Sequence, residues 1–420
     1  MKLQNFINKY LKDPRILKYA LTGCCLSFAL SIALSQIFLA LFAVLMIVEL
    51  WRRADYRKEN FKNNFSSFNN RHRATLSYFY YPAFVWMLFV LIALFFGLNF
   101  FHSFGEYLKF ILYFSLPYLV FVYLNFETAE RVDAKIHYFL LALFIGQGIA
   151  ASHTVISTLI GVEMPIGIPG ALTEAGQISL LFPVYLGVAF NSLSSVKRAD
   201  AKKIVFLGLL IVFALLINLK RGPWFAVFVT SSLFFLATSY KRFLTVVVLA
   251  VSLCFLPPIY HRLLDFHEHF FIAGGRFDMW KLGFQLIERF PLGIGFSNSD
   301  MMRKFDPALP LLHRHMHNNF LNVTLENGIF VGVIFVWWFA KLILGGFRES
   351  LSGWTRQRLV TDRYRILILS FTLTTLSLQI AGVVEYNFGD GEIRYMYLLL
   401  IGLMFGVMAE RKNSEVVSGG

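Results

Sequence analysis

The chain has 420 residues, of which 57% are hydrophobic, 17% aromatic and only 15% charged. A soluble domain carries about a quarter charged residues, so this composition excludes a large-cored aqueous globule and fits an all-α polytopic membrane protein. The formal net charge of +14 would suit nucleic acid in a soluble chain, but here the Lys and Arg residues crowd into connections between apolar runs, so no nucleic-acid partner is expected.

A span needs about 20 apolar residues, fewer if its ends snorkel. That rule predicts about twelve transmembrane helices. The first two form a close pair, near 17–34 and 37–51, turned at Ser35-Gln36. The others fall near 76–100, 107–126, 136–161, 174–193, 203–219, 223–239, 243–258, 320–346, 364–384 and 393–409. Basic residues concentrate at alternate connections: the N-terminus, 52–73, 131–135, 197–203, 241–242, 348–365 and 411–412. By the positive-inside rule both termini are cytoplasmic, and the whole chain, 1–420, is one integral membrane domain. Its one long outer segment, 259–319, holds MWKLGFQLIERF from Met279, apolar at helical spacing, which predicts one or two helices on the membrane rim. Pro291 and the pair Gly293 and Gly295 end that helix. The tail KNSEVVSGG reads as disordered.

Three basic features break the parity and fall on the outer side. Lys220-Arg221 lies in a short turn before Gly222-Pro223, Arg276 follows two glycines in the long segment, and Arg394 opens the last span. A charge held there at a cost is expected to neutralise an anion. For Arg221 two readings stay open, a bidentate grip on phosphate and ordinary snorkelling at a helix end. Arg276 begins a helix whose N-terminal dipole also favours an anion.

The polar run HRHMHNNFLNVTLENG, His313 to Gly328, stands before a hydrophobic helix. His317 is its candidate for chemistry, because imidazole is the side chain suited to take a proton near neutral pH. Asn318 is placed to orient the ring, and Gly328 breaks the chain direction before it re-enters the membrane. A metal site from His313, His315 and His317 is disfavoured, since no carboxylate adjoins them. The cluster Glu385, Asp390, Glu392 and Arg394 has two open readings: a carboxylate that orients His317 or binds hydroxyls, or a charged turn that satisfies itself. The three cysteines, Cys24, Cys25 and Cys254, give no disulfide or metal spacing. There is no phosphate loop, no GxGxxG after a strand and no Asp-x-Asp pair, so neither a nucleotide cofactor nor a metal-dependent sugar-nucleotide reaction is expected.

GRFDMWK from Gly275, FPLGIGF from Phe290, HNNFL from His317 and ENGIFVG from Glu326 together resemble the shared region of the bacterial O-antigen ligase and polymerase superfamily, over about 200–345. The resemblance implies a glycan donor on undecaprenyl pyrophosphate, presented at the periplasmic face of the inner membrane, and transfer to a lipid A-core hydroxyl. It implies that Arg221 and Arg276 hold the pyrophosphate and that His317 is the essential histidine. Lys220 stands where many members have Thr or Ser, and would add to or share the phosphate contact. The motifs do not separate ligase from polymerase, and a transporter without chemistry ranks third because the polar clusters sit at one face.

Overall fold

A computed structural model describes residues 15–56, 58–126, 132–161, 170–195, 198–272, 275–307 and 314–418. Among them every regular element is helical, as the composition and the long apolar runs require. Eight described helices are long and apolar enough to cross a membrane: Ile32–Arg52, His72–Phe96, Phe100–Asn125, Val132–Ile160, Ala171–Asn191, Ile329–Leu351, Arg363–Ala381 and Gly391–Glu415. A ninth is counted if Tyr240–Leu253 and Pro257–Leu264, bent by 81°, form one broken span.

That count is below the twelve expected, for identifiable reasons. Helix Arg15–Ser27 has 13 residues and rises only about 20 Å, short of a hydrocarbon core about 30 Å thick. Helix Arg198–Ile217 begins with Arg198, Asp200, Lys202 and Lys203, which shortens its apolar part. Helix Arg221–Thr238 has 18 residues and starts on an arginine and a proline.

Three boundaries also differ from the sequence expectation. The first pair does not turn at Ser35-Gln36, which lie inside helix Ile32–Tyr56. The Ser35 hydroxyl folds back onto Ile32 O at 2.8 Å and is absorbed by the helix. The turn comes earlier, where the Leu30 and Ser31 amides donate to Ser27 O at 2.9 and 2.8 Å. The span expected at 320–346 is split at Gly328 into Asn319–Asn327 and Ile329–Leu351. The C-terminal tail is helical to Ser418; Arg411 pairs with Glu415 at 2.7 Å and Lys412 donates to Thr75 at 2.9 Å, ties that hold the last turns.

Helices Ala171–Ser195, Arg363–Ala381 and Gly391–Ser418 form the centre. Arg363–Ala381 packs on the first, on Ile329–Leu351 and on Arg221–Thr238, and Gly391–Ser418 packs on Phe100–Phe126. Ile32–Arg52 and His72–Phe96 are peripheral, with Ile37, Val44 and Phe84 among their exposed side chains. The many Phe residues divide accordingly: Phe139, Phe335 and Phe405 are buried, whereas Phe95, Phe101 and Phe330 face outward.

Where the sequence predicts one or two helices, the long segment and its approach hold three, Pro257–Leu264, Phe266–Phe271 and Arg276–Arg289, and a 3-10 turn at Ser299–Lys304. Its anchor is a joint between two of the motifs. The Ile294 and Gly295 amides donate to Leu325 O and Glu326 O at 3.0 and 2.8 Å, and the Ile329 amide donates to Pro291 O at 3.0 Å. Helix-end carbonyls that would otherwise be orphaned at Gly328 are thus satisfied by the PLGIG turn. The close approach demands glycine on both sides. Gly293 and Gly328 have φ of 92° and 90°, and a Cβ would meet Glu326 O at 2.5 Å or Pro291 O at 2.6 Å.

Candidate functional site

His317 lies at the opposite end of helix Asn319–Asn327 from this joint, one residue before the N-cap Asn318. The Asn318 side chain accepts from the Leu321 amide at 2.9 Å and donates to Val383 O at 2.8 Å, so it caps the helix and ties it to the connection after Ala381. The Asn319 amide reinforces that tie at Gly382 O, 2.7 Å, and its Oδ1 accepts from the Phe388 amide at 3.0 Å. Met316 is fixed on the other side, its amide on Asn322 Oδ1 at 3.0 Å and its carbonyl under Trp280 Nε1 at 2.9 Å. Between these fixed points His317 is held at φ 46°, a left-handed conformation that costs a residue with a Cβ about 1–3 kcal/mol. The neighbours over-determine the strain, and it aims the imidazole.

The ring points at Glu385. His317 Nδ1 lies 3.0 Å from Glu385 Oε2, and Arg276 Nη2 lies 2.5 Å from Oε1. One carboxylate therefore joins residues 68 and 109 positions away in the chain. Burial alone would push the Glu385 carboxyl up, but the hydrogen bond from His317 and the Arg276 charge outweigh it and hold the group below its ordinary range. An ionised Glu385 accepts from Nδ1–H, which fixes the tautomer and leaves the Nε2 lone pair available. The His317 amide donates to His315 Nδ1 at 3.2 Å, and the two rings are 4.2 Å apart at their centroids. His313 lies outside the described residues, so the three-histidine arrangement is not described.

Arg221 opens helix Arg221–Thr238, with Lys220, partly buried, at its N-cap. A Cβ on Gly222 would meet Val384 at 2.7 Å, which seats this helix start against the residue before Glu385. Arg221 Nη1 donates to Arg262 O at 3.1 Å, and Arg262 Nε donates to Leu219 O at 3.1 Å. Burial and the like charges of Arg262 and Arg276 pull the Arg221 guanidinium below its ordinary value, against the opposing pull of Asp265 and Glu385. Guanidiniums crowded in this way gain by sharing an anion.

The acidic cluster proves to be divided. Asp390 caps the last helix, accepting from the Glu392 amide at 3.0 Å and from the Thr173 hydroxyl at 3.1 Å. Arg394 lies over the Phe110 and Tyr113 rings, at 4.6 and 5.4 Å, and donates to Phe388 O at 3.1 Å. Only Glu385 of the four reaches the histidine among the described contacts. Arg262, Trp280 and Tyr386 were not singled out by the sequence. Of these only Arg262, a basic residue in the outer segment, carried a usable signal.

Two cavities border the site, one reaching Arg221 and the other Glu385, and they share no lining residue. One, about 470 Å³, is walled by apolar side chains of the helices from Ala171 to Leu264, with Arg221 the single charged residue in its lining. The other, about 330 Å³, is polar and includes Glu385, His315, Tyr386 and Arg394.

Residues 206–336 match the family model described as O-antigen ligase, close to the region in which the motifs lie. No curated protein matches the chain. The matched segment spans the Arg221 turn, the Arg276 helix, His317 and the Gly328 joint, and over it the chain is similar to the O-antigen ligase family.

Proposed function

We propose that the protein is a glycosyltransferase of the ligase type, moving a glycan from undecaprenyl pyrophosphate to a sugar hydroxyl of lipid A-core at the periplasmic face of the inner membrane. The single observation that carries this reading is the contact of Glu385 with both His317 and Arg276, within electrostatic reach of Arg221. A base, its orienting carboxylate and paired guanidiniums are what displacement at a pyrophosphate-linked sugar needs. The apolar cavity that ends at Arg221 suits the prenyl tail of such a donor, with its phosphates at the arginines.

The chemistry needs no energy source beyond the donor. Arg221 and Arg276, with Lys220 sharing the contact, stabilise the charge that grows on pyrophosphate as the C1–O bond breaks. His317 Nε2 takes the proton of the acceptor hydroxyl while its oxygen forms the new bond to C1 from the opposite face. Undecaprenyl pyrophosphate leaves, the configuration at C1 inverts, and Glu385 stabilises the imidazolium until the proton is lost to water. Metal and nucleotide have no part in these steps. The topology completes to twelve crossings, both termini cytoplasmic, when Arg15–Ser27, Arg198–Ile217, Arg221–Thr238 and the bent pair also cross.

The test is His317→Ala, Arg221→Ala and Arg276→Ala, each in a strain that displays the glycan. Loss of surface glycan with long lipid-carrier chains accumulating is expected. Normal surface glycan in all three variants would refute the reading.

A further inference from the structure

The cavity beside Glu385 is lined by neither Arg221 nor Arg276, the arginines assigned to the donor. Part of its lining is aromatic: Trp86, Phe110, Phe296 and Phe388 pack edge to face or tilted, with ring centroids 5.2 to 6.3 Å apart. Its walls carry both signs of charge, the carboxyl groups of Glu106, Glu326, Glu385 and Asp390 against the guanidiniums of Arg314 and Arg394. Glu326 is 1% exposed, accepts from the Ser299 amide at 3.3 Å and faces the Tyr386 hydroxyl at 3.3 Å. The Arg394 Nε is buried and has no hydrogen-bond partner among the described residues.

The geometry points to this cavity as the acceptor subsite, taking a neutral, hydroxyl-rich sugar ring whose reactive hydroxyl is turned toward His317. A bound anion would face four carboxyl groups and a bound cation two guanidiniums. A polyol both donates and accepts at every hydroxyl, which is what a wall of mixed acceptors and donors selects. Burial pushes the Glu326 and Asp390 carboxyls up, so they take a neutral partner at less cost than a charged one. Position agrees with the chemistry. Displacement at C1 keeps the acceptor apart from the leaving pyrophosphate, and this cavity, walled by Glu385 and His315, is separate from the one that Arg221 lines. The inference rests on the transferase reading, but it assigns the second substrate and is separately testable.

The purified full chain is first saturated with undecaprenyl pyrophosphate. Binding of two lipid-free glycans is then measured by calorimetry: the core oligosaccharide and the repeat-unit oligosaccharide. Wild type should bind one of them, and the Tyr386→Phe, Arg394→Gln double variant should bind it roughly ten- to a hundredfold more weakly, the loss expected for hydrogen bonds to charged groups. Affinity for undecaprenyl pyrophosphate should change by only a few-fold, because Tyr386 and Arg394 bond neither Arg221 nor Arg276 among the described contacts. Arg314→Gln, in an exposed non-helical stretch, gives the same test where the double variant does not fold. The proposal is overturned if wild type binds neither glycan, if the variants leave glycan affinity unchanged, or if pyrophosphate affinity falls in parallel. Failure of the transferase reading looks different: wild type then binds no undecaprenyl pyrophosphate, or Arg276→Ala does not weaken it.

Discussion

Helix Arg363–Ala381 has a charge cluster at each end, and the two are built differently. At its start, Arg365, Arg411 and Lys412 meet Asp362, Glu349 and Glu415, three cations against three carboxylates. Separations run from 2.7 Å for Arg411–Glu415 to 3.9 Å for Arg411–Glu349. Two of these pairs are one helical turn apart in sequence, and Asp362 doubles as the helix cap through the Tyr364 and Arg365 amides. Beyond its other end, Arg221, Arg262 and Arg276 stand near Glu385 and Asp265, groups drawn from distant segments. A histidine in left-handed conformation stands among them, and two cavities border these groups. Charge clustering alone therefore does not mark a site. Charges gathered from distant segments, backbone strain and adjoining space together do, and the Glu385 end has all three.

Substitutions should separate the two ends. The largest effect is expected from His317→Ala, a loss of roughly 10²–10⁴ in transfer rate with donor affinity retained, as removal of a general base predicts. Single-turnover transfer in detergent reads it directly. Arg276→Ala or Arg221→Ala should cost roughly 10²–10³ in rate, with lipid pyrophosphate binding weakened as well. At the opposite end, Arg411→Gln removes a buried guanidinium from partners that are partly exposed, and should cost about 2–3 kcal/mol of stability. A thermal melt should show that loss, while turnover per folded molecule stays at wild type. If Arg411→Gln abolished turnover of the folded protein, the contrast between the ends would fail.

A smaller effect tests the joint that supports the site. Gly328→Ala forces a side chain into a φ of 90° and against Pro291 O, and should destabilise by about 1–3 kcal/mol. Activity should fall with it, because helix Asn319–Asn327 runs from this joint to the cap beside His317. A variant that melts like wild type would show that the PLGIG turn can yield.

Residue pattern alone carried much of this. The helical class follows from long apolar runs, and Arg221, Arg276 and His317 stood out because charge at such depth is costly. Glu385 was legible only as one of two readings, since a sequence does not tell which carboxylate of a cluster turns away from its own turn. Fewer helices pass a test of length and hydropathy than the twelve spans expected, because charges enter the first turns, as at Lys202 and Lys203, and shorten the apolar length. The Ser35-Gln36 turn failed because a serine in a long apolar helix can bond its own backbone. Tyr386 and the cavity beside it gave no local signal at all. They exist only once Gly382–Asp390 is folded against Asn319.

The smallest predicted effect concerns acid. The Glu385 carboxyl lies below its ordinary value in the folded protein, and an unfolded glutamate titrates near about 4.3. The native state therefore binds this proton less readily than the unfolded chain. Its contribution to stability is complete above the unfolded value and is lost as pH falls toward the folded one. Glu385→Gln keeps the shape but removes that dependence. Melting temperatures of wild type and variant should differ by a constant amount above about pH 5 and converge below about pH 4, where wild type loses what the variant never had. A gap unchanged down to pH 3 would mean that Arg276 and His317 do not hold Glu385 ionised. The carboxylate that distinguishes this end of the bundle would then be an ordinary capping group, like Asp362 at the other.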